Sequence, residues 1–576
     1  MRTEQMYLSD NECAVPNRYN NWHSIDWKLA ERAVRKLQNR IVKAEKEGRQ
    51  GKVKALQRLL TSSFYAKALA VKRTIENKGS KTAGVDGIRW RTPKSKWSAI
   101  RSLKRKGYCP SPLKRVYIPK QSDPKKLRPL SIPTMKDRAM QALHLMALAP
   151  IAETRADRNS YGFRMGRGCR DAMEQCHVVL SRKIAPQWIL EADIQSCFDT
   201  INHQWLLDHV PMDGQVLKKW LRAGYIYQNS FHETTEGSPQ GGIISPTICN
   251  MVLDGLEDVV RKCSPMKDHG YGRYSSFHKI NFVRYCDDFI VTATDKDILK
   301  DKVIPSIKGF LAPRGLILSA KKTRITHIHN GIDFLGQNLR KYKDKLLIKP
   351  SKVNVGRLRT KIKAIFHKMR AASAWALIRK LNPVLRGWAY YHRHIVAKET
   401  YGQIDIFIFQ KLRRWLKRKH PDKSWKWINR KHYHHPISGK SQFFDRGKDG
   451  EIVTLYKVAT TKIYRHVKIK SAANPFEREW ELYFEGKYDQ QMLRNATGKL
   501  RRLYQRQQGR CTVCQTKITK ETGWHTHHVM AKHLGGSDNM DNLQLLHPNC
   551  HRQLHYQQKL SEQPQQAKYR SVVSFA

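Results

Sequence analysis

The sequence predicts a multidomain α+β chain in which two helical, basic units flank a mixed α+β body and a small metal-stapled module follows on the C-terminal side. Three observations carry this. The 576 residues are more than one hydrophobic core organises, so several domains are expected. Hydrophobic spacing changes from helical to mixed and back along the chain. Cysteine and histidine then concentrate beyond residue 510 at intervals that suit metal ligands.

In chain order, residues 1–80 read as a basic helical extension, because Trp27, Ala30, Val34, Leu37 and Ile41 recur on one face and a second periodic run follows Gly48 and Gly51. Residues 81–345 are the α+β body. There, short β-branched and aromatic runs such as Arg115 to Ile118, Trp188 to Leu190 and Phe289 to Thr292 alternate with helical segments. Residues 346–435 return to helices rich in arginine and lysine, punctuated by Asn382-Pro383, Gly387 and His420-Pro421, and Pro383 is expected to break one of them. Residues 436–503 open with Gly, Pro and polar clusters, which predicts loops and a small irregular domain. Residues 504–576 hold the cysteine and histidine module. No internal repeat is visible.

Charge narrows the function. Lys and Arg number 108 against 48 Asp and Glu, and a formal charge of +60 repels itself strongly without a polyanionic partner, for which nucleic acid is the natural candidate. A membrane partner is not expected, since no apolar stretch reaches the about 18 residues a span needs and no Arg-rich amphipathic leader opens the chain. The 11 cysteines are scattered early and then cluster at Cys511, Cys514 and Cys550. That usage suits a reducing interior with one metal site better than a disulfide framework.

The sharpest chemistry lies in Phe282-Val283-Arg284-Tyr285-Cys286-Asp287-Asp288-Phe289-Ile290-Val291, two apolar runs that predict a hairpin with paired acids at its turn. Adjacent aspartates repel unless a cation sits between them. Aspartate is also common in ordinary solvated turns, so the pair alone decides nothing. A second acidic segment tips the balance: the apolar run Trp188-Ile189-Leu190 delivers Asp193 at a strand end, and two strands can bring it beside Asp287 and Asp288. Three such carboxylates suit two divalent ions roughly 3.5–4 Å apart, one activating a 3′-hydroxyl and one clamping a triphosphate. Hard oxygen ligands favour magnesium.

These segments resemble the palm motifs of reverse transcriptases, in which a tyrosine, a variable residue (here Cys286) and two aspartates close the active site. The resemblance implies a right-hand polymerase, its fingers and palm built on antiparallel sheet and its thumb α-helical. It assigns Asp193, Asp287, Asp288 and the Ile194 carbonyl to two magnesium ions, and Phe198 to a gate against the 2′-hydroxyl. Phe198 fits a plain core aromatic equally well. Gln240, in the turn-rich loop Gly237-Ser238-Pro239-Gln240-Gly241-Gly242, matches a glutamine beside the incoming nucleotide. Lys120 and Arg128 match finger residues that grip the triphosphate, although in so basic a chain a given lysine is more often a surface charge. Ser160-Tyr161-Gly162-Phe163-Arg164, Arg314-Gly315-Leu316 with Lys321-Lys322-Thr323, and Phe334-Leu335-Gly336 complete the series over residues 80–340.

Flanking segments narrow the resemblance to the group II intron-encoded proteins. Leu381 to Tyr391 is similar to their thumb, or maturase, domain. From Lys411 to His435, cations alternate with Trp415, Trp425, Trp427 and Tyr433, a mixture that suits structured RNA or melted DNA, with some of the tryptophans expected in the core. Asn474-Pro475-Phe476-Glu477 with Trp480 and Tyr483 resembles the family's DNA-binding segment, which makes 436–503 a DNA-binding domain.

In the last module, Cys511-x2-Cys514 and His547-x2-Cys550 bracket the segment as two ligand pairs for a tetrahedral structural zinc, with His547 where many relatives carry cysteine. The residues between and after them, His527-His528, Asn542, His551 and His555, resemble the HNH, or ββα-metal, nucleases. That likeness implies His528 as general base, Asn542 as its water-orienting partner, and His527, His551 and His555 as ligands of a catalytic divalent ion. The bland alternative is a zinc knuckle that only binds nucleic acid.

Together the resemblance implies an RNA-directed DNA polymerase of a mobile group II intron. The nuclease nicks target DNA, and the polymerase extends the exposed 3′-hydroxyl with dNTPs, using the intron RNA as template. The thumb and N-terminal surfaces would also hold the intron RNA and assist its splicing. The expected setting is a nucleoid-associated ribonucleoprotein in the bacterial cytoplasm. Two alternatives stay open. A splicing-only RNA-binding maturase is disfavoured by the intact Asp193, Asp287 and Asp288, and reverse transcriptases of other bacterial retroelements generally lack the thumb and HNH combination.

Overall fold

Asp26 opens the first long helix, Trp27–Lys46, by accepting a hydrogen bond from the Leu29 amide at 3.0 Å. The computed structural model to which it belongs describes residues 21–558 apart from 121–125, 269–273, 435–440, 448–449 and 497. Trp27, Ala30, Val34 and Ile41 are buried as their spacing predicts, but Leu37 is only half-buried and Gln38 turns inward in its place. The Gln38 amide reaches the Met146 carbonyl at 2.9 Å, which is how a polar side chain tolerates that position. Helices Gln50–Ser62 and Phe64–Glu76 complete a bundle against Met135–Arg155, the long and largely buried helix of the body.

The body is built on two four-stranded sheets. The first orders Leu127–Ile132, Leu113–Pro119, Tyr225–Tyr227 and Ser230–His232, with one parallel pairing between Leu113–Pro119 and Tyr225–Tyr227. The second is antiparallel throughout and orders Arg324–His327, Trp188–Asp193, Asp288–Ala293 and Asn281–Tyr285. Its inner strands bury side chains on both faces, so the strand ends that carry acids are held by packing on either side.

A three-stranded meander, Ile332–Phe334, Gln337–Tyr342 and Lys345–Pro350, leads into the helices Lys352–Lys368, Ala374–His392, Lys398–Lys419 and Trp425–His432. Pro383 does not break Ala374–His392. Leu377, Ile378 and Leu381 before it and Leu385 and Ala389 after it face one core, and that shared burial outweighs the roughly 3 kcal/mol an internal proline costs. The next segment is more regular at its start than its composition predicts: Tyr433–His434, Gln442–Arg446 and Ile452–Thr454 form a small sheet against Ala374–His392. Residues 461–470 then run without helix or strand along the helix Cys169–Leu180, where Asp171 accepts from His466 at 2.9 Å and from the Ile469 amide at 2.8 Å.

Among the described residues, the apolar interior falls into two clusters. One runs from Trp22 and Ile41 through Leu143 and Val291 to Leu545 in the C-terminal module, and the other joins Val283 and Ile290 on the second sheet to Leu381, Leu385 and Leu416. The first and last modules of the chain thus share a core. Among the described residues, no helix is long and apolar enough to cross a membrane.

Candidate active sites

Across the two-residue turn Cys286-Asp287, Tyr285 pairs with Asp288, and Cys286 takes a φ of 60° that side chains rarely adopt. The neighbouring strand sets Asp193 directly opposite Asp288, which puts both carboxylates on the same face of the sheet, in hydrogen-bond contact. Asp287 follows at the turn. Although Asp288 reaches solvent, the protein crowded around its carboxyl, the bond to Asp193 and the charges of Asp287 and Asp193 push it up to about 7. Burial first, and the Asp193 charge after it, raise Asp287 as well. Lys322 Nζ stands 2.6 Å from Asp193 Oδ2 and offsets part of this negative charge.

The turn is held from below. A Cβ on Gly162 would lie 2.3 Å from Cys286 Sγ and 2.5 Å from its amide nitrogen, so only glycine lets the two segments approach. The Tyr161 amide bonds the Arg284 carbonyl at 2.9 Å, and the wholly buried Arg284 guanidinium pairs with Asp254 at 2.5 Å and Asp157 at 3.4 Å. Ile194 sits opposite Leu318, between the bonds from Gln195 N to Ile317 O and from Ser319 N to Asp193 O. In an antiparallel ladder that position turns the Ile194 carbonyl away from Leu318, towards the side of the acidic turn.

Phe198 and Gln240 line one cleft of 220 Å³ with Arg115, Ser131 and Gly237. Phe198 also packs on the first core cluster. Gly241, at φ 113°, brings its loop so close to the Ser131 carbonyl that a Cβ would stand 2.7 Å away, and the Ser131 amide bonds the Gln240 carbonyl at 2.7 Å. Lys120 and Arg128 lie on the hairpin of the first sheet, either side of the undescribed 121–125. The Arg128 charge acts on Asp287 at the acidic turn, and the Lys120 charge on Asp199, which lines the cleft with Phe198 and Gln240.

In the C-terminal module, Cys511, Cys514, His547 and Cys550 are buried with ligand atoms all within 4.8 Å of one another. Three sulfurs and one imidazole nitrogen at this spacing fit a tetrahedral zinc site. Hydrogen bonds from the Cys514 and Cys550 thiols lower Cys511 below the usual thiol range, and the same contacts raise Cys550, so the three thiols share their protons as one group. His527, His551 and His555 form a second set within 4.8 Å. Burial, then the charges of neighbouring histidines, lowers His527 and brings His551 to about 4, so both rings are neutral and able to bind a cation. His528 follows His527 on the strand His525–His528, whose partner is Leu543–Leu546, and a helix from Pro548 carries His551 and His555.

Two residues of this module are tied to its exposed loop. Asn542 donates to the Met530 and Ser537 carbonyls at 3.0 and 2.8 Å and accepts from the Met530 amide at 2.7 Å. Both of its amide hydrogens close the 530–537 loop, while Oδ1, which accepts one bond, retains a second lone pair. His528 Nε2 faces Asp538 at 2.7 Å, a carboxylate that the bonds from His528 and Lys532 lower to about 2.

Comparison with known proteins matches four segments of the chain. Residues 22–103 match the N-terminal domain of reverse transcriptase, 118–339 the reverse transcriptase (RNA-dependent DNA polymerase) family, 355–433 the group II intron maturase-specific domain and 511–557 the HNH endonuclease family. Protein YkfC of Escherichia coli is 31% identical over 323 residues, 50% of this chain and 83% of that protein. The chain belongs to the group II intron-encoded reverse transcriptases. The group II intron-encoded protein LtrA of Lactococcus lactis is 28% identical over 333 residues, 47% of this chain and 54% of LtrA. Maturase-like protein 1 of Euglena gracilis is 22% identical, with coverage of 64% and 76%. This reverse transcriptase thus combines polymerase, maturase-specific and HNH endonuclease domains, from families that bind RNA and use divalent metal ions.

Several residues of this reverse transcriptase escape sequence reasoning. Lys322 belongs to a recognisable segment, but its partner Asp193 lies 129 positions away, a pairing no local pattern displays. His525 packs its ring 5.2 Å from His551 and is visible only as a third histidine near the pair. Asp538 sits in an exposed loop, where an aspartate carries no distinguishing signal.

Proposed function

We propose that this protein performs target-primed reverse transcription in a bacterial, nucleoid-associated ribonucleoprotein. Its nuclease nicks a DNA strand, and its polymerase then extends the freed 3′-hydroxyl with dNTPs along intron RNA. The observation that carries the reading is the register of Asp193 against Asp288 beside the Asp287 turn. Two magnesium ions bound there would supply Lewis acidity at the 3′-hydroxyl and the triphosphate. Asp193, Asp287, Asp288 and the Ile194 carbonyl are the ligands. Lys120 and Arg128 hold the triphosphate, Gln240 lies beside the nucleotide, and Phe198 excludes the 2′-hydroxyl by occupying its space.

Cys511, Cys514, His547 and Cys550 hold a structural zinc. His527, His551 and His555 bind the nuclease ion, which would stabilise charge at the scissile phosphate, and His528 takes the proton from the attacking water. Asn542 keeps the intervening loop closed. The thumb holds intron RNA and assists splicing. The test is primer extension on an RNA template with magnesium, beside RNA binding by gel shift. Asp287→Asn should lower extension by roughly 10²–10³-fold, the usual loss when charge stabilisation is removed from a reacting centre, with RNA affinity unchanged. Equal extension by both proteins would reject the palm assignment.

A further inference from the structure

The helix that begins at Pro548 presents three faces. At about 100° per residue, Asn549, Gln553 and Tyr556 share one stripe, Cys550 turns towards the other zinc ligands, and His551 and His555 fall opposite the first stripe. That first stripe sits on the N-terminal segment Trp22–Ile25. Trp22 Nε1 donates to Asn549 Oδ1 at 3.1 Å, and Gln553 Nε2 donates to the His23 carbonyl and, at 3.2 Å, to the Ile25 carbonyl. His23 stacks on Tyr556 with ring centroids 4.1 Å apart. Trp22, Asn549 and Gln553 are 1%, 2% and 7% exposed, so these bonds form in a dry contact where deleting one partner leaves the other unsatisfied. Trp22 in turn packs 5.0 Å from Trp27, the first residue of Trp27–Lys46, and that helix lies against Met135–Arg155 of the polymerase body.

We infer that Trp22–Ile25 is a rigid mount for the nuclease, and that Trp22, Asn549 and Gln553 are positioning residues for DNA cleavage. A nuclease on a loose tether cuts wherever the tether reaches. A mounted one cuts at a fixed offset from the polymerase centre, because the face opposite the catalytic histidines is anchored through packed helices to the palm. The cleavage half of this inference rests on the nuclease reading above; the docking half does not.

The test uses the full chain loaded with zinc, as wild type, Trp22→Phe, Gln553→Ala and the double variant. Trp22→Phe removes the donor and keeps an aromatic side chain, though a smaller one. Hydrogen exchange is read for the helix from Pro548. Nicking is read on an end-labelled DNA duplex joining the two sequences that flank the intron. The double variant should exchange about tenfold faster in that helix and spread its nicks over neighbouring phosphates, with zinc content and primer extension unchanged. Wild-type exchange and wild-type nick positions in the double variant would overturn the mount. Loss of zinc would overturn it too, since the contacts would then serve the knuckle itself. Faster exchange with no nicking by any form, wild type included, would overturn the role in cleavage and the nuclease reading together, while the docking stands.

Discussion

At Asp288 the geometry has a direct consequence for pH. Crowding by the surrounding protein, the bond to Asp193 and the adjacent Asp287 hold its proton up to about 7, well above the usual aspartate range. A cation binds the ionised form, so below that value protons and magnesium compete for one carboxylate. The half-saturating magnesium concentration for primer extension should therefore rise about tenfold per unit of pH below about 7 and level off above it. A carboxylate of ordinary acidity would leave the requirement flat between about pH 6 and pH 8, and that result would show that the shared site does not retain a proton. The acids themselves are legible in the sequence because an apolar strand ending in aspartate is a local pattern. Lys322 at Asp193 and Asp538 at His528 are not, because each pairing is set by how distant or irregular segments meet.

Among the elements, the cysteine-histidine knuckle and the proline-bearing helix show opposite limits of local reasoning. Cys511, Cys514, His547 and Cys550 are readable from spacing alone, since ligand pairs close in sequence must meet to bind a metal. Pro383 misleads, because the local rule against internal proline yields to a core that buries the same helix face on both sides of it. With zinc bound as proposed, the knuckle would bear much of the stability of its module. Structural zinc contributes on the order of 10 kcal/mol in small metal-folded units, comparable with the whole stability of an ordinary domain. Cys550→Ser, or chelation of the wild type, should thus abolish exchange protection across 511–557 and end nicking, with primer extension kept within about twofold. Retained protection without metal would mean that the shared core with the N-terminal helices folds the module unaided.

Over the whole molecule, charge and architecture point to one polyanion held along much of the surface. The formal +60 is not neutralised internally, and on the thumb helix Lys398–Lys419 the chain turns Arg413, Arg414, Lys417 and Arg418 to solvent and buries Trp415 and Leu416. Nearby, Lys423 and Lys431 lie 5.7 and 4.8 Å from the Trp427 ring, which pairs cations with an aromatic surface suited to unpaired bases. Each lysine or arginine that meets a phosphate releases a bound counterion, and the affinity falls with salt in proportion to the number of such contacts. Six or more contacts, a modest share of this excess, would weaken binding of structured RNA by about 10³-fold or more between roughly 50 and 200 mM salt. Asp287→Asn should follow the same slope, because the palm acids take no part in gripping the RNA backbone. A shallow salt dependence, with tight binding retained, would place recognition in the aromatic and hydrogen-bonding surface of the thumb, leaving the excess charge to solubility and approach.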